Sequence, residues 1–175
     1  MTRARLVITV LLLAACAGRG SVYSGPTGPE AVAALYERIG MHGETPAAVR
    51  RSLGEPQRVE RDTVANRHGY GTDTTITMLH RGWRHDFLAL GASGTVILTG
   101  RETIDGAVGF PAGLRIGLTT ASQLRARLGA PHDTDTVADT TVLSWRHPAM
   151  EADSYVELAV VRDTVRMVRW VPYVD

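Results

Sequence analysis

A stretch that occurs twice constrains this chain more than any other feature. Thr45 to Pro56 (TPAAVRRSLGEP) lines up with Thr120 to Pro131 (TASQLRARLGAP), 75 residues further on. Arg38-Ile39-Gly40 recurs as Arg115-Ile116-Gly117, and Asp62-Thr63-Val64-Ala65 as Asp135-Thr136-Val137-Ala138. Self-similarity of this kind is the mark of one supersecondary unit used more than once. Two copies of one module, 31–104 and 109–175, are the simplest account.

Each repeated feature has a local cause. Thr45 followed by Pro46 is an N-cap and first-turn pair, and Thr120 with Gln123 three residues on forms a capping box. Val49 with Leu53, and Leu124 with Leu128, stand at i and i+4 and form one apolar stripe per copy. Gly54 and Gly129 suit the left-handed conformation that ends a helix, and Pro56 and Pro131 prevent its resumption. An earlier helix is expected over Glu30 to Ile39, with Ala31, Ala34 and Leu35 on its buried side.

After each proline the hydrophobic period changes to two. Thr74 to His80, Trp83 to Leu90 and Thr95 to Arg101 read as strands in the first copy. Asp133 to Ala138, Thr141 to His147, Tyr155 to Val161 and Val165 to Val171 do so in the second. Gly91 to Gly94 and Arg162-Asp163 read as hairpin turns. The expected fold class is α+β, with two tandem modules, each of short helices packed on an antiparallel β-meander.

The N-terminus carries a different signal. Arg3 and Arg5 precede an apolar run, Leu6 to Leu13, and Ala14-Ala15-Cys16 follows at once. Positive start, short apolar core and small residues at the cut make an export signal, and the run is well short of the roughly 20 residues that span a bilayer. Leu13-Ala14-Ala15-Cys16 resembles the lipobox of bacterial lipoproteins. The resemblance implies cleavage before Cys16, a signal peptide over 1–15, and a covalent lipid on Cys16 as the only attached group, with no other cofactor. Two or more acyl chains hold a protein firmly, at about 0.8 kcal/mol per buried CH₂. Residues 16–30, rich in Gly, Ser and Pro, read as a lipidated tether reaching roughly 20 Å as a coil.

Composition removes several chemistries. Cys16 is the only cysteine, so the mature chain can form no internal disulfide and has no catalytic thiol in its folded part. All 19 basic residues are Arg, which rules out Schiff-base lysines and a phosphate-binding P-loop. Without Arg3 and Arg5 the basic residues nearly balance the 18 acidic ones, and no basic block stands out. No nucleic-acid partner is expected.

The run Ile116-Gly117-Leu118-Thr119, then Leu124, Leu128-Gly129-Ala130-Pro131, then Trp145 on a following strand, resembles the SmpA/OmlA (BamE-type) lipoprotein domain. It is similar too to the repeated modules of the β-lactamase-inhibitor protein. The resemblance covers most of 31–175 and implies helices leading into an antiparallel sheet of about three strands per copy. A standard domain of this type is single-copy, and the inhibitor proteins carry disulfides that this chain cannot make. The residue of the first copy that matches Trp145 stays open. Trp83-Arg84-His85 echoes Trp145-Arg146-His147, whereas alignment by hairpins places Met78 or Leu79 there.

Motifs of catalysis are scarce. His42, His68, His80, His85, His132 and His147 show neither HExxH nor i, i+4 spacing, so no metal is expected. On a regular strand His80 and His85 would face opposite sides, and the six histidines read as exposed or hydrogen-bonded. Gly91-Ala92-Ser93-Gly94-Thr95 misses the GxSxG elbow by one position. Asp133, Asp135 and Asp139 read as acids of a solvated edge strand. Trp145 and Trp170 read first as packed in or beside the core, and an exposed binding face is the other reading; Trp145-Arg146 and Arg169-Trp170 are then the candidate partner-binding residues, because Trp and Arg are enriched in interface hot spots.

The expectation is a non-enzymatic lipoprotein of the cell envelope that binds or scaffolds a protein partner. Ala17 after the lipid site, in place of an aspartate that would retain the protein in the inner membrane, points to the periplasmic side of the outer membrane. An inhibitor of a secreted enzyme is the alternative, and an envelope hydrolase stands further back.

Overall fold

The computed structural model describes residues 25–66, 71–149 and 154–172. The signal segment, Cys16, most of the tether and His68 lie outside the described residues. Helix α1 spans Gly28–Gly40 and α2 Pro46–Leu53; strands β1 (Arg58–Ala65), β2 (Thr72–His80), β3 (Trp83–Ala89) and β4 (Val96–Thr103) follow. A 3-10 turn at Pro111–Gly113 leads to α3 (Ala121–Leu128), then β5 (Asp133–Val137), β6 (Thr140–Arg146), β7 (Tyr155–Val161) and β8 (Thr164–Val171).

Local chemistry sets the element ends as the residues predict. The Thr45 hydroxyl accepts from the Ala48 amide, and Thr120 and Gln123 form the full capping box. Gly54 and Gly129 end α2 and α3 at φ +81° and +82°, each donating its amide back to the helix. Arg162 and Asp163 both sit at positive φ, the geometry of a two-residue hairpin turn. Helix α1 begins two residues earlier than expected, on Gly28 and Pro29.

The strands do not divide into two modules. They form one antiparallel sheet of eight strands in the order β1-β2-β3-β4-β8-β7-β6-β5. The fold is mainly β, with short helices added, and the expected α+β pair of tandem modules is overturned. The last strand of each half would have been an open edge, a row of unpaired N–H and C=O groups. Instead β4 and β8 pair with each other, through Arg101↔Trp170, Glu102↔Arg169 and Thr103↔Val168.

Helix α1 reinforces that seam. Its buried residues Ala31, Val32, Leu35, Tyr36 and Ile39 share one hydrophobic cluster with Leu124, Leu128, Leu143, Trp145 and Leu158 of the second half. The Tyr36 hydroxyl sits between the carbonyls of Trp145 (3.0 Å) and Ser154. Burial pushes that hydroxyl up to about 12, so it remains a proton donor. A smaller cluster under β2–β4 holds Val49, Met78, Phe87 and Leu98.

Two of the three repeats do not mark equivalent structure. Arg38-Ile39-Gly40 closes a helix, whereas Arg115-Ile116-Gly117 lies in the connection before α3. Arg58 pairs with Leu79 and Asp133 with Ser144, which makes Arg58 and Asp133 the matching residues. The DTVA repeat is therefore two residues out of structural register. By the same ladders Trp145 matches His80, not Trp83, Met78 or Leu79. Its indole N–H donates to the Gly129 carbonyl (3.3 Å), as the His80 ring Nε2 lies 3.2 Å from the Gly54 carbonyl.

Candidate functional site: the two faces of the sheet

Strand pairing assigns every side chain to one of two faces. One row runs Met78, His85, Arg101, Trp170, Val156 and Trp145 across β2, β3, β4, β8, β7 and β6. All of these are buried except Trp170, which is half-buried. This is the face under the helices.

Beneath the connection from α1 to α2 the covered face carries a polar cluster. His85 is fully buried, His80 and His42 nearly so, and their rings stack edge to face: His42 to His85 at 5.8 Å and His80 to His85 at 5.7 Å between centroids. The expectation that His80 and His85 face opposite sides fails, because the Arg81-Gly82 turn folds β2 onto β3 and puts both on one side. Gly82 is needed there: it sits at φ +76°, and an added Cβ would come 2.5 Å from an Asp105 carboxylate oxygen. His85 is also not hydrogen-bonded, since neither ring nitrogen finds a partner among the described residues.

Arg101 completes this cluster. Its guanidinium donates to the carbonyls of Ile39 (3.0 Å) and Gly43 and lies 5.1 Å from the Trp170 ring. Burial lowers its pKa to about 10, and Glu44 opposes the shift, so it stays charged at neutral pH. Burial, with Arg101 adding to it, lowers His42 to about 4 and His85 to about 3. These imidazoles are neutral over the physiological range. Among the described residues no group of three or more His, Cys, Asp or Glu is placed to hold a metal ion.

The opposite face has another character. One row crosses all eight strands: Arg58, Leu79, Arg84, Glu102, Arg169, Glu157, Ser144 and Asp133. Arg84 reaches Asp86 (3.0 Å) and Glu102 (3.7 Å), and Arg169 is paired with Glu157. The hydrogen bond that Arg84 donates to Asp86 raises its pKa further, so that charge is permanent. Two residues along the same strands from this row, Arg146 donates to the Tyr155 hydroxyl at 2.7 Å. Arg84 and Arg169 keep 47% and 43% of their side-chain surface exposed, so the row is solvated and reachable.

Two hollows open on this face. One of about 230 Å³ lies over the β4–β8 seam, lined by Arg84, Asp86, Glu102 and Arg169, where Gly100 contributes no side chain. The other, of about 400 Å³, is bounded by His132, Asp133, Ser144, Tyr155 and Glu157. Strand β5 forms one of the two outer edges, exposed along its length, and carries Asp133 and Asp135, charges that disfavour edge pairing, whereas Asp139 lies in the turn to β6 and not on the edge strand.

The candidate residues are thus divided between the faces. Trp145 is 3% exposed and belongs to the core, out of a partner's reach. Trp170 is half-buried over Arg101. Arg146 and Arg169 are on the open face with Arg84, Glu102 and Tyr155. Sequence inspection passed over these last three because nothing local distinguishes a charge on an open sheet face from one in a loop.

Fold and site together define a mainly-β protein built on one eight-stranded antiparallel sheet, helices over one face and a charged row along the other. No protein-family model, curated protein or solved structure matches this chain.

Proposed function

We propose that this chain is a lipid-anchored protein of the bacterial cell envelope, held on the periplasmic side of the outer membrane by Cys16, and that it works by binding protein through the open face of its sheet. The observation that carries this reading is the row from Arg84 to Glu157. The sheet holds the nearly half-exposed Arg84 and Arg169 beside the more covered Glu102 and Glu157 at the spacing of the strands, with Tyr155 and Arg146 next to them. Arg and Tyr are the residues that interface hot spots favour, and sheet-borne groups lose little entropy on docking. The lipobox resemblance supports the anchor; among the described residues no helix is long and apolar enough to cross a membrane.

The test places a photo-cross-linking residue at Tyr155 on the open face or at Met41, which is 56% exposed on the helix side. In intact envelopes, protein adducts are expected from the Tyr155 site at about tenfold the yield from Met41, a ratio worth about 1.4 kcal/mol of preferred contact. The C16S variant is expected in the soluble fraction. Equal yields from the two sites refute the binding face, and a C16S chain that stays with the membrane refutes the anchor.

A further inference from the structure

The charges on the open face are ordered in a way that names their partner. The row reads Arg58, Leu79, Arg84, Glu102 on one side of the β4–β8 seam and Arg169, Glu157, Ser144, Asp133 on the other. Taken outward from the seam, Glu102 matches Arg169, Arg84 matches Glu157, and Arg58 matches Asp133. Each such pair carries opposite charge, and the remaining pair, Leu79 and Ser144, is uncharged. The row is antisymmetric.

We propose that the occupant of this face is a second copy of the same chain, docked sheet to sheet about a two-fold axis that runs along the strands over the β4–β8 seam. This rests on the binding-face reading and gives that face its partner. The stated axis lays the row of one copy over the reversed row of the other. Arg84 of each copy then meets Glu157 of its mate, Glu102 meets Arg169, and Arg58 lies toward Asp133. A two-fold axis along the row itself would set Arg over Arg and Glu over Glu, which is repulsive at each of its six charged positions. Charge selects the first arrangement and excludes the second.

Neighbouring residues fit the same axis. On one side of the row Gly100 comes under Val171, a gap under a side chain, and Asp86 comes under Tyr155. On the other side Ile104, which is 71% exposed, continues β4 toward the open face, and the axis sets it over Met167 of β8. Eight strands at about 4.8 Å span roughly 35 Å, and seven residues at about 3.4 Å span roughly 24 Å. Twist lifts the outer strands apart, yet a patch of this size meets the roughly 800 Å² per partner of a standard interface. An interface of this kind is isologous, with each contact made twice.

The test uses the full chain in detergent and measures molecular weight by sedimentation across concentration and salt. A dimer is expected below about 100 μM at low salt, weakening as salt screens the row. R84E sets Glu over Glu at two places, and its dissociation constant is expected to rise at least tenfold; E157R is expected to do the same. The double variant R84E/E157R, and a mixture of the two single variants, restore every pair and are expected to return to within about threefold of the parent. Within one chain positions 84 and 157 lie three strand steps, roughly 14 Å, apart, so a restoration cannot come from repair inside the monomer. If the Arg84 or Glu157 variants fail to fold, R58D and D133R carry the same logic at exposed positions.

A parent chain that stays monomeric, or a double variant and mixture as weak as the single variants, overturns the proposal. The Tyr155 cross-links separate this from the wider reading. A self-adduct supports both. Adducts only to a different protein overturn the second copy and leave the binding face standing, and equal yields at Tyr155 and Met41 remove both.

Discussion

His80 at the end of β2 and Trp145 near the end of β6 hold matching places in the two halves of the sheet, each against the carbonyl of the glycine that ends the preceding helix. Around Trp145 the space is hydrocarbon: Leu124, Leu128, Leu143, Val156 and Leu158 are all buried. Around His80 it is filled by His85, His42 and Arg101, with only Val49, Met78, Phe87 and Leu98 as an apolar cluster nearby. The same backbone device is thus served by an indole in oil and by an imidazole among imidazoles. The hydrocarbon half is stabilised mainly by burial, with the Tyr36 and Trp145 hydrogen bonds added, and neither depends on pH near neutrality. The polar half ties its stability to keeping His42 and His85 neutral.

The largest effect should come from emptying the hydrocarbon half. W145A removes a buried indole and leaves the Gly129 carbonyl without its donor, and about 3–5 kcal/mol of stability is expected to go. H80A at the matching place should cost only about 1–2 kcal/mol, mainly the bond to the Gly54 carbonyl. Urea unfolding of both variants decides it, and equal losses would erase the contrast between the halves.

Acid should act on the polar half. In the folded chain His42 and His85 stay neutral down to about pH 4 and about pH 3, while in the unfolded chain both take up protons near pH 6.5. Below pH 6.5 the unfolded state binds more protons, so stability falls as pH falls. Above that pH this loss is absent. The expected slope is about 1.4 kcal/mol per pH unit for each histidine across this window. H85F should remove one histidine's share, read from urea midpoints at about pH 7 and about pH 5. An unchanged slope in H85F would place the acid sensitivity elsewhere.

The smallest effects belong to the two helix starts, where the halves are most alike. T120A removes both contacts of the Thr120 hydroxyl, the bond it accepts from the Gln123 amide and the one it shares with Ser122, and is expected to cost about 1 kcal/mol. T45A breaks a single bond of 3.2 Å, beside a proline that already favours the first turn, and is expected to cost about half as much. Thermal melts of the pair would order them.

Much of the outline was legible in the residues. Thr45, Thr120, Gly54, Gly129, Pro56 and Pro131 announced two short helices with hard stops, and alternation announced seven of the eight strands. Strand β1 was missed because Arg58 to Ala65 carries only Val59 and Val64 as branched apolar residues and reads as charged loop. The site was less legible. Arg146 and Arg169 stand out beside tryptophans, and Trp145 takes the core place its sequence suggests, but Arg84, Glu102 and Glu157 give no local sign of standing in one row.

Capping, turn chemistry and side-chain alternation act between residues a few positions apart, so the chain's own sequence determined where its helices stop, where its hairpins turn and which residues seek burial. Pairing is a competition among all the strands at once. That β4 joins β8, that α1 packs on the other half's core, and that His85 and Arg101 share one buried row follow from contacts across 16 to 109 positions of the sequence, as in the Tyr36 and Trp145 bonds. Only the tertiary structure could decide them, because the free energy of closing such contacts depends on everything else that closes with them.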